Sequence, residues 1–207
     1  MFATTCRAVR RLASVPILGI AVLSATPAAA LVVDIDAFAN ATTTDGDFDD
    51  PSAIAVAISL SAGTWRVEPA GPAAGGAYTA WNAWGGAVGG CDAQGRNCGI
   101  GWMHWYRIQS PGSARMRLED GILYAGAASA LANGVGAEFT LPAAQTTYFF
   151  IFDTGPDDNV GGVSLRLSQV TAPATLALFG AALAGLAAGQ RRRGVGRQSS
   201  AASSKPA

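Results

Sequence analysis

Two apolar segments, one at each end of the 207-residue chain, limit the part that can fold in water. The C-terminal segment, residues 172–188, carries no charge over 17 residues and is followed by Arg191, Arg192 and Arg193. Seventeen residues are near the lower limit for a helix that crosses a hydrocarbon core of about 30 Å. We therefore predict a transmembrane helix whose arginines stay in the cytoplasm. The alternative is a buried helix of a soluble domain, which would lack a polar face.

The N-terminal segment has the parts of a secretory signal peptide. Three arginines within the first eleven residues precede an apolar run, residues 15–23, and Ala28–Ala30 then supplies small side chains. This order predicts a signal peptide over residues 1–30 that is cleaved after Ala30. A retained membrane anchor is the alternative, but the apolar run is short and Pro16 interrupts it.

The region from 170 to 193 resembles the PEP-CTERM sorting signal. Its motif reads Pro173-Ala174-Thr175-Leu176, and the apolar span and the arginine cluster follow. The resemblance implies export in a Gram-negative bacterium that makes extracellular polysaccharide, with cleavage near the motif by an exosortase-like membrane enzyme. The acidic residue of the family's Pro-Glu-Pro is missing, since Thr171-Ala172-Pro173 stands there. A polar tail over 194–207, which we expect to be disordered, follows the arginines.

The segment between these ends, residues 31–169, is strongly acidic. All 14 carboxylate residues fall within it against six arginines, so its net charge is −8 although the whole chain is formally neutral. Nucleic acids and anionic lipid surfaces require a basic partner, so we expect no nucleic-acid binding. Cations and neutral sugars remain as ligand classes. Its length suits a single domain.

Short alternating or β-branched runs recur in this segment between clusters of Gly, Pro, Asp and Asn. They predict an all-β ectodomain, an antiparallel β-sandwich or jelly roll. The predicted strands are Leu31–Phe38, Ala53–Leu60, Thr64–Glu68, Trp102–Gln109, Ala114–Leu118, Ala137–Leu141, Thr147–Phe152 and Gly162–Ser168. One helical turn is predicted at Ser129–Ala132, whereas Ala70–Gly101 contains few strand signals.

Cys91 and Cys98 are the two cysteines that remain once cleavage of the predicted signal peptide has removed Cys6. An even pair in an exported protein predicts a disulfide. The turn-forming residues Asp92–Asn97 lie between them and can bring the sulfur atoms together. A metal-binding thiol pair is the alternative, but the chain has no further cysteine and a single histidine to complete such a site.

The first candidate site is the turn that follows Phe152. It contains four side chains with oxygen ligands, Asp153, Asp157, Asp158 and Asn159, and Ca²⁺ takes six to eight oxygen ligands. This turn resembles the calcium loop of small bacterial galactose-binding β-sandwich lectins. The resemblance assigns Asp153, Asp158 and Asn159 to the family's ligand positions, with a shorter spacer, and implies carbohydrate binding with calcium. The alternative is a plain hairpin turn.

A second acidic segment, Asp45–Asp50, alternates carboxylates as some calcium loops do. The flanking helices and the remaining ligands of an EF-hand are absent from the sequence around it. We therefore interpret it as a solvated acidic loop.

Aromatic residues flank the cysteine pair and form the third candidate. Trp81 and Trp84 precede Cys91, and Trp102 and Trp105 follow Cys98. Indole rings stack on the apolar face of a sugar, and a disulfide would hold such a surface rigid at little ordering cost. Trp81 and Trp84 are therefore candidate ligand-binding residues. The alternative is that both cover the core of the sandwich.

The functional hypothesis is an exported, non-catalytic protein of the cell surface or extracellular matrix that binds carbohydrate with calcium. It would be tethered through its C-terminal helix and sorted by an exosortase-like system. No nucleophile motif accompanies His104, which is why we expect no enzyme. One alternative is a structural or adhesive protein of the exopolysaccharide matrix without a small ligand. Another is a secreted hydrolase, because a pair of carboxylates for glycoside hydrolysis is not readable from sequence.

Overall fold

The structure of the protein is a computed structural model that describes residues 30–43 and 54–170. The predicted signal peptide up to residue 29, the acidic segment Asp45–Asp50, and residues 171–207 with the predicted transmembrane helix and sorting motif lie outside the described residues. Within the described residues, no helix has the length and apolar character that crossing a membrane requires.

Eleven β-strands and one short α-helix form the regular structure of the two described ranges. The strands are β1 (Leu31–Asp36), β2 (Ala41–Thr42), β3 (Val56–Leu60), β4 (Gly63–Ala70), β5 (Trp81–Asn82), β6 (Trp102–Met103), β7 (Tyr106–Gln109), β8 (Met116–Leu118), β9 (Ala137–Leu141), β10 (Gln145–Phe152) and β11 (Val160–Gln169). The helix, α1, is Ala127–Ala132, and 3₁₀ turns occur at Pro72–Ala74 and Pro156–Asp158.

The first sheet is organised around β11. Its strand order is β6-β5-β11-β4-β9, and β1 also pairs with β11. Each of these pairings is antiparallel. Val33 lies opposite Leu165, and Ile35 lies opposite Val163. Because side chains alternate between the faces of a strand, these four side chains share one face of the sheet.

The second sheet is organised around β10, with the order β2-β10-β7-β8 and with β3 also paired to β10. The pairings of β10 with β3 and β7, and of β7 with β8, are antiparallel. The pairing of β2 with Ile151 and Phe152 is parallel and covers only two residues. The prediction of an all-β, antiparallel domain is therefore confirmed apart from this short contact.

The hydrophobic core lies between the two sheets. Both sheets contribute core residues that are at most 2% exposed, among them Val33, Ile35, Leu165, Leu167, Ile108, Phe149 and Ile151. The alternation is visible in β11, where exposed Arg166 separates two buried leucines. Removing this apolar surface from water is the main force that holds the sheets together. The arrangement is sandwich-like, as expected, whereas the jelly-roll connectivity stays a prediction.

A polar cluster covers the outer face of β11. Ser164 is fully buried although it points away from the core, and its hydroxyl donates to Asp34 Oδ1 and accepts from the Tyr78 amide. The Tyr78 hydroxyl donates to Asp36 Oδ2 at 2.7 Å. Asp34 and Asp36 therefore share one face of β1, and their hydrogen bonds attach the segment before β5 to the first sheet.

Most predicted strands occur close to their expected bounds, and Ala137–Leu141 matches β9 fully. The predicted strand Trp102–Gln109 is instead two strands, β6 and β7, because the chain leaves the first sheet after Met103 and enters the second at Tyr106. The two-residue strands β2 and β5 were not predicted. The turn expected at Ser129–Ala132 belongs to α1.

The first and last described residues, 30 and 170, lie at one end of the first sheet. Leu31 pairs with Leu167, and the Val170 amide donates to Thr64. At the other end of β11, Gly161 pairs with Trp81. β11 has ten residues, so about 30 Å separate the two ends. Residues 30 and 170 are therefore on the side of the domain opposite to Trp81.

Candidate functional site

A cavity of about 260 Å³ lies where β5 and β6 meet the outer face of the second sheet. Four aromatic side chains line it: Trp81, Trp84, Trp105 and Phe152. Four charged side chains line it as well: Arg107, Arg117, Glu119 and Asp153. The structure thus brings both tryptophans of the aromatic hypothesis and one aspartate of the calcium hypothesis into a single cavity.

The tryptophans of the cavity differ in exposure. Trp81 is 3% exposed and belongs to the core, whereas Trp84 is 36% exposed. The Trp81 indole N–H donates to the carbonyl oxygen of Trp105, and the Trp105 indole N–H donates to Asp120 Oδ1. Trp81 therefore serves as a core residue, as the alternative interpretation has it, and Trp84 and Trp105 offer accessible ring surface.

Asn82 holds the loop that presents Trp84. Its side-chain oxygen accepts from the amides of Trp84 and Gly86, and its side-chain nitrogen donates to Ala87. Asn82 is fully buried, so these bonds are shielded from water and fix the loop firmly. Asn82 was not predicted as a site residue, although an Asn between two tryptophans in a glycine-rich stretch is a typical turn-forming signal.

Arginine and glutamate form the charged wall of the cavity. Arg107 on β7 lies directly opposite Arg117 on β8, and like charges in such a cross-strand pair repel each other. Glu119 compensates for both: one carboxylate oxygen lies 2.9 Å from Arg107 and the other 3.3 Å from Arg117. The Arg107 guanidinium also lies 5.9 Å from the centre of the Phe152 ring. The period of two in β7 predicts that Arg107 points away from the core, but not that a glutamate joins it.

Asp153 closes the cavity at the end of β10. Its amide donates to the carbonyl oxygen of Thr42, and its Oδ1 accepts a long bond of 3.4 Å from Gly155. Its Oδ2 is buried and has no hydrogen-bond partner among the described residues. An unpaired buried carboxylate oxygen is costly, so this atom has the chemistry to accept a ligand hydroxyl or to bind a cation.

The other predicted calcium ligands follow in the same turn. Asp157 and Asp158 are exposed on the 3₁₀ turn Pro156–Asp158. Asn159 is 7% exposed; its amide nitrogen donates to Ala37, and its Oδ1 has no partner in the described part of the chain. Two of the four predicted ligands thus have buried, unpaired oxygens. Over residues 30–43 and 54–170, no group of three or more His, Cys, Asp or Glu side chains is arranged to hold a metal ion.

The cysteine pair is bonded, as predicted, with an S–S distance of 2.03 Å. Between the cysteines, Asp92 Oδ1 accepts from the amides of Gln94 and Arg96, which shapes a tight turn. The turn is tied to the segment after β8, because the Cys98 amide donates to Leu123 and the Ala125 amide donates to Gly95.

His104 lies between two cavity residues in the chain but does not line the cavity. It is 2% exposed, and neither ring nitrogen makes a hydrogen bond of normal geometry within the described residues. Burial lowers the pKa of His104 to about 4. The imidazole is therefore neutral at pH 7 and packs edge-on against Tyr106.

Comparisons of the chain with protein-family models, with curated proteins and with solved structures gave no match. Function is therefore inferred from the chemistry of the site itself.

Proposed function

We propose that the protein is exported to the cell surface or the extracellular matrix and binds a saccharide, without catalysis, in the cavity between Trp84 and Asp153. The observation that carries this proposal is the convergence of accessible indole rings with hydrogen-bonding charged groups in one small cavity. Stacking on an aromatic ring and hydrogen bonds to hydroxyl groups are the two interactions that a sugar offers.

The size of the cavity supports a small ligand. Pockets for drug-sized molecules measure about 300–1,000 Å³, and this cavity measures about 260 Å³. We infer that it takes a single sugar ring, such as a terminal residue of a longer chain. Trp84 and Trp105 would contact the apolar face of the ring. Asp153 would accept a hydrogen bond from a hydroxyl group of the sugar, and the arginines would donate to its oxygen atoms.

Calcium is a proposed part of this site and would be held by Asp153 Oδ2 and Asn159 Oδ1. These two oxygens are buried and unpaired, which suits a hard cation, but they supply only part of the six to eight oxygens that Ca²⁺ takes. Asp157 and Asp158 precede Asn159 in the same turn and are exposed, and the Asp158 carbonyl oxygen also links the turn to the Trp84 loop through the Gly85 amide. A bound Ca²⁺ would supply positive charge to sugar hydroxyl groups at the rim.

The proposed sorting fits the placement of the chain ends. A C-terminal membrane helix with an exosortase-like signal would attach to the domain at residue 170, on the side opposite to Trp81. The cavity would then face away from the membrane, toward extracellular polysaccharide. Cleavage of this tail would release the same domain with its cavity unchanged.

A secreted glycoside hydrolase is the second candidate, because the cavity contains two carboxylates, Glu119 and Asp153. Glycoside hydrolysis needs one acid and one nucleophile or base. Here both oxygens of Glu119 are engaged by arginines, which leaves Asp153 as the available carboxylate. We therefore favour binding over hydrolysis.

A binding experiment on the purified full-length protein tests the proposal. Wild type is screened on a glycan array and titrated with methyl β-galactopyranoside, with CaCl₂ or with EDTA. We expect binding that weakens in EDTA, and an affinity about tenfold lower for Trp84→Ala, which corresponds to about 1.4 kcal/mol. The matched control is Phe38→Ala, which removes an exposed aromatic ring outside the cavity and should change affinity less than twofold.

Three results would count against parts of this scheme. No array signal under either condition would favour the structural or adhesive alternative. Release of sugar from array ligands that stops in Asp153→Asn would favour the hydrolase. An unchanged melting temperature with excess CaCl₂, in wild type and in Asp153→Ala/Asp158→Ala alike, would remove calcium from the proposal.

A further inference from the structure

Asp120 accepts three hydrogen bonds next to the cavity, although it does not line it. Its Oδ1 accepts from the Trp105 indole N–H at 2.8 Å and from the Ile122 amide at 3.1 Å. Its Oδ2 accepts from the Tyr124 hydroxyl. Asp120 therefore joins the indole ring of a cavity residue to the segment after β8.

Tyr124 anchors this group to the disulfide-bonded turn. It is 1% exposed, and its backbone pairs with that of Trp102 through two bonds of 2.8 Å. The Arg96 guanidinium, from the turn between the cysteines, lies 5.7 Å from the centre of the Tyr124 ring. Burial, together with the hydrogen bond to Asp120, raises the pKa of Tyr124, so its hydroxyl stays protonated and donates.

We propose that Asp120 is a positioning residue that fixes the Trp105 indole ring at the wall of the cavity, with Tyr124 and the disulfide-bonded turn as its support. This inference rests on the proposed saccharide site, because the value of a fixed ring is that the ligand does not have to order it. The bonds form a directional series: Trp81 donates to the Trp105 backbone, and the Trp105 ring donates to Asp120. The side chain of Trp105 is thus held at its far end, while its carbonyl oxygen is held by a core residue.

Asp36 provides a matched control in the same chain. It also accepts from a tyrosine hydroxyl, that of Tyr78, and from two backbone amides, those of Phe38 and Ala39. It makes no contact with a tryptophan indole among its described hydrogen bonds and does not line the cavity. Asp120 and Asp36 therefore have the same chemistry in two places, and only the first holds an indole ring of the cavity.

The test compares Asp120→Ala, Asp120→Asn and Asp36→Ala in the full-length protein labelled with ¹⁵N. The Trp105 indole N–H resonance, assigned by its loss in Trp105→Phe, reports on the hydrogen bond, and the Trp81 indole serves as an internal reference. In Asp120→Ala we expect this resonance to move upfield and its exchange with solvent to speed up. In Asp120→Asn, which keeps a neutral acceptor, the upfield shift should be smaller but measurable. Asp36→Ala should leave the resonance in place.

Affinity for methyl β-galactopyranoside separates positioning from general stability. We expect about a tenfold loss for Asp120→Ala, recovery to within about threefold of wild type for Asp120→Asn, and less than twofold change for Asp36→Ala. Tyr124→Phe removes the support but leaves the indole bond, so it should lower the melting temperature with less than threefold loss of affinity.

Two results would overturn the inference: a Trp105 resonance unchanged in both Asp120 variants, or affinity kept within twofold in Asp120→Ala although the resonance has moved. If Asp120→Ala does not fold, the Trp105 indole resonance of Asp120→Asn decides alone. A chemical shift equal to that of wild type would exclude the proposed bond. If wild type binds no glycan, the proposed function fails, and the indole measurement still decides whether Asp120 holds Trp105.

Discussion

The core between the sheets and the disulfide-bonded flank, residues 89–101 and 119–125, are held together in different ways. In the core, apolar side chains at alternate positions, such as Ile35, Leu165 and Phe149, are completely buried against many neighbours. The flank contains isolated bridges in place of long strands. It depends on one disulfide and on the hydrogen bonds of two aspartates, Asp92 and Asp120.

This difference shows where each kind of contact is useful. Apolar burial spreads its free energy over a large area and needs only the right pattern and volume. A polar, cross-linked flank concentrates its free energy in few contacts, but it sets the direction of each side chain. The tryptophan that the flank holds, Trp105, lines the cavity. The protein thus uses its core for stability and its flank for orientation.

Truncation in the core should give the largest effect. Phe149→Ala removes a fully buried ring between the sheets, and we expect a loss of about 3–5 kcal/mol in the free energy of unfolding, measured by urea denaturation. Val160→Ala, at a position that is 37% exposed, is the control and should cost less than about 0.5 kcal/mol. Similar losses for the two variants would show that the core is not where the stability lies.

Lowering the pH should destabilise the protein through His104, which joins β6 to β7. Its pKa is about 4 in the folded state and 6.5 in the reference state, so the unfolded chain binds the proton first. Its contribution is fully present above pH 6.5, and about 3 kcal/mol is lost as the pH falls to about 4. We expect His104→Gln to reduce the difference between the free energies of unfolding at pH 7 and pH 4, measured by urea denaturation. An equal pH dependence in both proteins would contradict this origin.

Removing the disulfide should cost less than truncating the core. The cysteines are seven residues apart, and closing a loop of that length stabilises by about 2.5 kcal/mol through the unfolded chain. Cys91→Ala/Cys98→Ala should therefore unfold at lower urea concentration, and wild type in excess reductant should match it. A loss larger than that of Phe149→Ala would reverse the assignment of stability to the core.

The smallest expected effect is the difference between two glycine-to-alanine substitutions, of which only one adds a steric clash to the backbone strain. Gly161 and Gly112 both have positive φ, 82° and 71°, so alanine is strained at each by about 1 kcal/mol. At Gly161 a Cβ would lie 2.4 Å from the Ala80 carbonyl oxygen, whereas at Gly112 the space is open. We expect Gly161→Ala to be about 2 kcal/mol more destabilising than Gly112→Ala in thermal unfolding. Equal losses would mean that β5 does not pack tightly on β11.

Sequence patterns were informative where structure depends on neighbours in the chain. The alternating run Gly162–Ser168 predicted a strand, which lies within β11, and the turn-forming residues between Cys91 and Cys98 predicted their bond. The short strands β2 and β5 could not be found in this way, because two residues have no period. They exist because β10 and β11 offer them hydrogen-bonding partners.

The residues of the candidate site also fall into two groups, those that the sequence indicated and those that it did not. Trp81, Trp84 and Asp153 were predicted as two unrelated candidates, and their residue types alone indicated sugar or cation chemistry. Arg107, Glu119 and Asn82 were missed. The glycine-rich stretch around Asn82 indicates a turn but not which groups Asn82 binds, and the roles of Arg107 and Glu119 depend on the cross-strand register, which nearby sequence does not indicate.

By itself, the sequence determined the all-β class, the alternation of core and surface positions, and the disulfide, because each depends on side-chain type and local spacing. Only the tertiary structure decided that β5, β7, β8 and the end of β10 meet around one cavity. It also decided that Trp81 is part of the core whereas Trp84 is accessible. The physical reason is that such meetings are fixed by strand order and register, which arise when distant segments pair to bury their apolar faces.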